Sequence, residues 1–185
     1  VHLEEQNWDV DKLHALPDDG NRYELIDGEL FVSPAPSRAH QRASRELVWR
    51  LLPYVELLGG LEVLYAPFAV TWSTRTEVQP DVLVVPLHRD TEIGAVATHR
   101  LLELVVEILS PSTARVDRYR KRALYQKQRV AEYWIVDLAT RMVERWRPDD
   151  VEPEVLFDQL VWRPRADVDT LSVDLEEVFR IVHAE

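Results

Sequence analysis

The run LLELVVEILS, from Leu101 to Ser110, constrains this chain more than any other stretch. It is apolar at successive rather than alternate positions, which predicts a strand covered on both faces, and such strands belong to sheets sandwiched between other layers. Yet it carries Glu107 near its end. An ionised carboxylate in such a place costs several kcal/mol unless a cation or hydrogen-bond donors meet it. The rest of the chain can be searched for that partner.

The neighbouring segments supply a frame. RYELIDGELFVSP reads as a hairpin of two short strands around Asp27-Gly28, a favoured type I′ pair. From Ala39 to about Leu58, the residues Leu47, Val48, Leu51, Leu52, Val55 and Leu58 recur at helical spacing. Pro53 is expected to kink that helix or start a second turn, and Gly59-Gly60 to end it. LEVLYAPFAVTW, VQPDVLVV and AEYWIVDL read as further strands. Ser112 or Thr113 can cap a helix reaching about Gln128. RMVERWRP and EVLFDQLVWRP read as edge strands, and DLEEVFRIV as a short terminal helix. The whole is a mixed α/β chain, expected to form a single domain over residues 1–185, and its 46% hydrophobic content suffices for a substantial core.

No apolar run is long enough for a transmembrane helix, and the acidic opening VHLEEQNWDVDKLHALPDD lacks the order of a secretion signal. The absence of cysteine excludes disulfides and thiolate metal sites and fits the cytoplasm. A net charge of −11 argues against general nucleic-acid affinity. The charge is uneven, however. Arg115, Arg118, Arg120, Lys121, Arg122, Lys127 and Arg129 are opposed locally only by Asp117.

Two carboxylates fall on adjacent-looking strands, Asp81 after Pro80 and Glu107. Proline cannot donate to a sheet ladder, so Pro80 marks a bulge or a strand start that re-aims Asp81. Paired carboxylates repel unless one is protonated or a cation lies between them. With no cysteine and no paired-histidine spacing, an oxygen donor set favours Mg²⁺ or Mn²⁺ over zinc. A phosphodiester-cleaving site also wants a cation beside the attacking water. Alternation puts Leu109, not a lysine, on the face of Glu107. On the following helix, Asp117, Lys121 and Tyr125 share a stripe from which the lysine stem can reach back across the strand end. The helix start near Ser112 and Thr113 offers backbone N–H groups suited to phosphate.

RYELIDGEL, His40, QPDVLVV, VVEILSPST, Asp117, Lys121, Tyr125 and EYWIVD occur in one order over Arg22 to Asp137. In this the chain resembles the PD-(D/E)XK nucleases, specifically the Uma-type putative restriction endonuclease family, formerly a domain of unknown function. The resemblance implies a restriction-endonuclease-like core, a central mixed β-sheet flanked by helices, with an N-terminal β-hairpin. It implies metal-dependent hydrolysis of nucleic acid, DNA above all, with Asp81, Glu107 and the carbonyl of Ile108 as ligands of Mg²⁺ or Mn²⁺. The superfamily places its lysine two residues after the second carboxylate, where Leu109 stands here; the resemblance moves that role to Lys121. His40 and Glu24 match as accessory residues, and Arg115, Arg118 and Arg122 would hold the nucleic-acid backbone. A homodimer is expected if both strands of a duplex are cut.

Each residue also has a plainer reading. Asp81 could cap a turn, Glu107 could simply pair with Lys121, and Lys121 could be one solvated cation among many. His40 faces inward with its helix's apolar stripe and could be a satisfied core group, while Glu24 could pair across the hairpin. Tyr125 is expected to pack, with its hydroxyl within reach of the site. The six tryptophans do not space as a base-stacking platform. Two rival functions follow: a catalytically silent nuclease fold serving as a binding module, and a carboxylate-pair glycosidase needing neither metal nor basic helix.

Overall fold

The computed structural model describes residues 7–87 and 102–184. Residues 1–6 of the acidic opening, and Leu101 of the strand run, lie outside them. In chain order the elements are α1 (Val10–His14), β1 (Arg22–Ile26), β2 (Glu29–Ser33), α2 (Arg38–Leu58), β3 (Leu61–Tyr65), β4 (Val70–Ser73), β5 (Thr76–Val78), β6 (Val82–Pro86) and β7 (Leu104–Ile108). A π-helical segment, Val116–Lys121, runs directly into α3 (Arg122–Lys127). Then come β8 (Glu132–Asp137), β9 (Met142–Trp146), β10 (Glu154–Leu156), β11 (Gln159–Trp162), β12 (Leu171–Asp174) and α4 (Leu175–Val182).

The central sheet has the order β10-β9-β8-β7-β6-β3 and is mixed: β7 and β8 are parallel, while its other pairs are antiparallel. A second sheet, β2-β1-β5-β4, carries the hairpin, and β11 pairs with β12 apart from both. The hairpin turn is left-handed at Asp27 (φ 50°) and Gly28 (φ 85°), as a type I′ turn demands. A Cβ at Gly28 would collide with the Arg75 guanidinium, so the turn's glycine also makes room for a neighbour.

Alternation along β6 and β7 sorts the core into two layers. Val82, Val84, Leu104, Val106 and Ile108 pack with α2 and α4, joined by Trp134 and Trp162. Leu83, Val85 and Val105 point the other way, toward Tyr125 and Leu124 of α3 and residues of the second sheet. The central sheet is thus covered on both sides, as its unbroken apolar strands require.

Several expected elements are redrawn. LEVLYAPFAVTW is two strands, β3 and β4, in different sheets and separated at Pro67. VQPDVLVV likewise divides into β5 and β6 at Pro80, which has no N–H for a ladder. RMVERWRP is no edge strand: β9 lies between β8 and β10, and its Val143 joins the inner apolar layer. EVLFDQLVWRP splits into β10 at the sheet edge and β11 beside β12. Helix α2 starts one residue early at Arg38, capped by Ser37, and runs through Pro53. The carbonyl that Pro53 deprives of a partner belongs to Trp49, whose side chain is on the exposed face, where water can serve instead.

Candidate active site

Asp81 and Glu107 occupy the same face of adjacent strands. The antiparallel register pairs Val82 with Val106, and one step further sets Asp81 across from Glu107. Both side chains are almost wholly buried, at 2% exposure. They belong to the layer facing α3, and they lie where β6 begins and β7 ends, at the floor of a cavity of about 670 Å³.

Three groups hold Asp81. Arg22 Nη1 donates to Oδ1 at 2.9 Å, the Ile108 backbone N–H donates to Oδ2 at 2.8 Å, and His40 Nε2 lies 3.0 Å from Oδ2. Burial alone would push this carboxyl up, but His40, Arg22 and the Ile108 N–H outweigh it and hold it below the usual aspartate range. His40 reaches the site because Ser37 caps α2 and sets the helix's first turn over the strand ends.

Glu107 is met by the helix across from it. Lys121 Nζ and the Tyr125 hydroxyl each donate to Oε1 at 2.8 Å. Lys121 also stands 2.8 Å from Glu24 Oε1 and 3.6 Å from Asp117 Oδ1. Burial would depress the ammonium, yet Glu107, Glu24 and Asp117 hold it above the ordinary lysine value, so it stays charged. The partner that Glu107 required is therefore Lys121, delivered by the π-helical segment; single π turns of this kind are frequent at functional sites. Glu24 completes the link to the hairpin by accepting the Gln79 backbone N–H at 2.7 Å.

The cluster remains short of positive charge. Four buried carboxylates, Glu24, Asp81, Glu107 and Asp117, face two permanent cations, Arg22 and Lys121. Burial, with the neighbouring carboxylates adding to it, raises Glu107 well above the glutamate range despite Lys121. Burial likewise pushes Asp117 up to about 6, and its Oδ1 has no hydrogen-bond partner. The excess of carboxylates acts in both directions: it keeps the proton on Lys121 and raises the carboxyls around it.

As donors, these groups are oxygens, which suit a hard divalent cation rather than zinc. Among the described residues, no three His, Asp or Glu side chains stand converged as a ready ligand group, and Arg22 and Lys121 already engage the two strand carboxylates.

The three arginines expected along the nucleic acid are placed differently from one another. Arg118 lines the cavity but bridges Asp137 at 2.8 Å and Glu144 at 2.7 Å. Arg122 lies over the Trp146 ring, 4.7 Å from its centroid. Arg115 is exposed and makes no ion pair among the described residues. Arg22 was missed as a site residue. Its signal was present, since alternation in β1 puts it on the face of Glu24.

A family model described as Uma2, putative restriction endonuclease, matches residues 10–176. Among solved structures, a putative nuclease of the DUF820 group from Anabaena variabilis superposes with a TM-score of 0.75 at 19% identity, covering 94% of this chain and 98% of that one. At that identity the likeness speaks to fold. The type IIG restriction endonuclease BpuSI is similar more loosely, with a TM-score of 0.39 at 17% identity over 80% of this chain and 16% of its own. No curated protein sequence matches. Since the family model spans nearly the whole chain, the protein belongs to the Uma2 family of putative restriction endonucleases.

Proposed function

We propose that the protein is a metal-dependent endonuclease hydrolysing phosphodiester bonds of nucleic acid, DNA in the first place. One observation carries this reading: Asp81 and Glu107 lie side by side at a cavity floor with a buried lysine on Glu107. Asp81, Glu107 and the Ile108 carbonyl would hold a Mg²⁺ or Mn²⁺ ion. When bound, such an ion polarises a phosphate oxygen and lowers the pKa of water. The chain's own groups do the rest. Arg22 and His40 fix the Asp81 carboxylate, and Tyr125 with Lys121 fixes that of Glu107. The Lys121 ammonium orients the attacking water and offsets negative charge growing on the phosphate. Arg115, exposed near the cavity mouth, meets the strand's backbone. Cutting both strands of a duplex would take a second copy of the site, as in a homodimer.

A silent nuclease fold is the second reading, favoured by the internal ion pairs that already engage both carboxylates. Titration calorimetry with Mn²⁺ and cleavage of a DNA panel separate the two. Glu107→Gln keeps the side chain's shape and is expected to abolish Mn²⁺ binding and cleavage while leaving the fold intact. If Mg²⁺ raises the Tm of wild type and Glu107→Gln equally, the ligand assignment is wrong. Wild type that binds Mn²⁺ but cuts no substrate would favour the silent module.

A further inference from the structure

A second cavity, of about 960 Å³, adjoins the catalytic one. Glu24, Ser33, Ser112, Thr113 and Asp117 line both, so the second lies directly beside the first as an outer groove along the same wall. Its outer part runs between β2, which contributes Phe31 and Val32, and the start of the π-helical segment, which contributes Arg115 and Tyr119. Cavities on the order of 300–1,000 Å³ accept ligands of several rings.

Tyr119 is unlike the other tyrosines of this region. Tyr125 and Tyr133 are buried, hydrogen-bonded and packed on each other with centroids 4.7 Å apart. The Tyr119 ring is 63% exposed and has no ring contact, hydrogen bond or ion pair among the described residues. Arg115, one turn earlier, is exposed and likewise unpaired. The acidic groups of the groove are not free to repel an anion: Glu24 and Asp117 face Lys121, and Glu29 pairs with Arg120. With those acids engaged, Arg115 presents an unpaired guanidinium on the same helical stretch as an exposed aromatic ring, in a protein of net charge −11.

Resting on the nuclease reading, we infer that this outer groove receives an unpaired nucleotide flanking the scissile phosphate, with Tyr119 stacking on its base and Arg115 binding its backbone. A duplex offers no base face to a ring standing beside it, because both faces of each interior base are already stacked. A single strand, flap or frayed end does offer one, and base–aromatic stacking in a cationic groove is how single strands are held without sequence preference. The substrate class is therefore DNA with a single-stranded stretch at the cleavage point.

The test uses fluorescence anisotropy in EDTA, with a short labelled oligothymidine and a blunt-ended duplex as probes. Wild type is expected to prefer the single strand. Tyr119→Ala is expected to weaken single-strand binding about tenfold and leave duplex binding and the melting curve unchanged, whereas Tyr119→Phe keeps wild-type affinity. Equal losses on both probes, or no loss on the single strand, overturn the inference. Wild type that cuts duplex well while Tyr119→Ala behaves normally on every probe removes the stacking site and leaves the nuclease reading standing. Wild type that binds neither probe, in EDTA or with Mg²⁺, overturns both.

Discussion

The two faces of the central sheet are built on opposite terms, although consecutive residues of the same strands supply them. From β7, Val106 and Ile108 enter a dry, apolar layer with α2 and α4, where Trp134, Trp162 and Phe179 pack among aliphatic side chains. Val105 and Glu107 enter the opposite layer, where four carboxylates, a lysine, an arginine and a histidine share one cavity floor. The dry face gains from every buried side chain. On the charged face each ion loses hydration, and the ion pairs only partly repay that loss. The first face makes the fold stable enough to keep the second.

Trp134→Ala should therefore cost most. Trp134 is fully buried and edge-on to Trp162, with centroids 6.1 Å apart. Truncation of such a residue loses about 4 kcal/mol from cavity and transfer terms together, read as a drop in the urea midpoint at constant slope. The charge arrangement across the sheet should survive, so Mn²⁺ affinity of the folded variant should match wild type. A loss below about 1 kcal/mol would mean that the dry face does not anchor the fold.

Next in size is Lys121→Met, which keeps the stem and deletes the ammonium. If Lys121 acts on the phosphate, single-turnover cleavage should slow on the order of a hundredfold or more, about 3 kcal/mol of transition-state stabilisation. Its stability loss should be smaller than that of Trp134→Ala, because Glu107 and Asp117 can each take up a proton when the cation goes. Full-rate cleavage by a stable variant would sink the role given to Lys121. A collapse in stability that accounts for the lost activity would make the lysine a structural counter-ion instead.

What could be read along the chain follows the same division. Asp81, Glu107 and Lys121 were legible because local pattern exposes each: a carboxylate after a proline, a carboxylate in an apolar strand, a lysine on a stripe with Asp117 and Tyr125. The i, i+4, i+8 stripe survives the π-helical turn, and all three residues converge on the floor. Alternation puts Arg22 on the face of Glu24, but its partner could not be read locally, because the hairpin folds back over Gln79 and Asp81, the latter 59 residues away. Likewise, nothing local in RMVERWRP tells an interior strand from an edge. That distinction is made by β10, which arrives later and covers it. The arginines of the cationic segment look alike in sequence, yet Asp137, Glu144 and Trp146 claim Arg118 and Arg122 from the far side of the fold.

The smallest effect concerns what the charged face costs the fold. Asp117 keeps its proton up to about pH 6 in the folded protein, against an ordinary value of 3.8. Burial is the main cause, and Lys121 only partly offsets it. Between those two pH values the folded state binds more protons at this residue than the unfolded chain does, so its contribution to stability falls as pH rises, and it levels off above about 6. Asp117→Asn removes the titration. At about pH 4 the variant and wild type should be nearly equally stable; by about pH 7 the variant should be the more stable, by on the order of 2 kcal/mol. Because Glu107 and other carboxylates titrate in both proteins, the quantity to follow is the difference between their urea midpoints across the range. A variant less stable than wild type at neutral pH would reverse the sign. The Asp117–Lys121 attraction would then exceed the burial cost, and the charged face would be a source of stability in its own right.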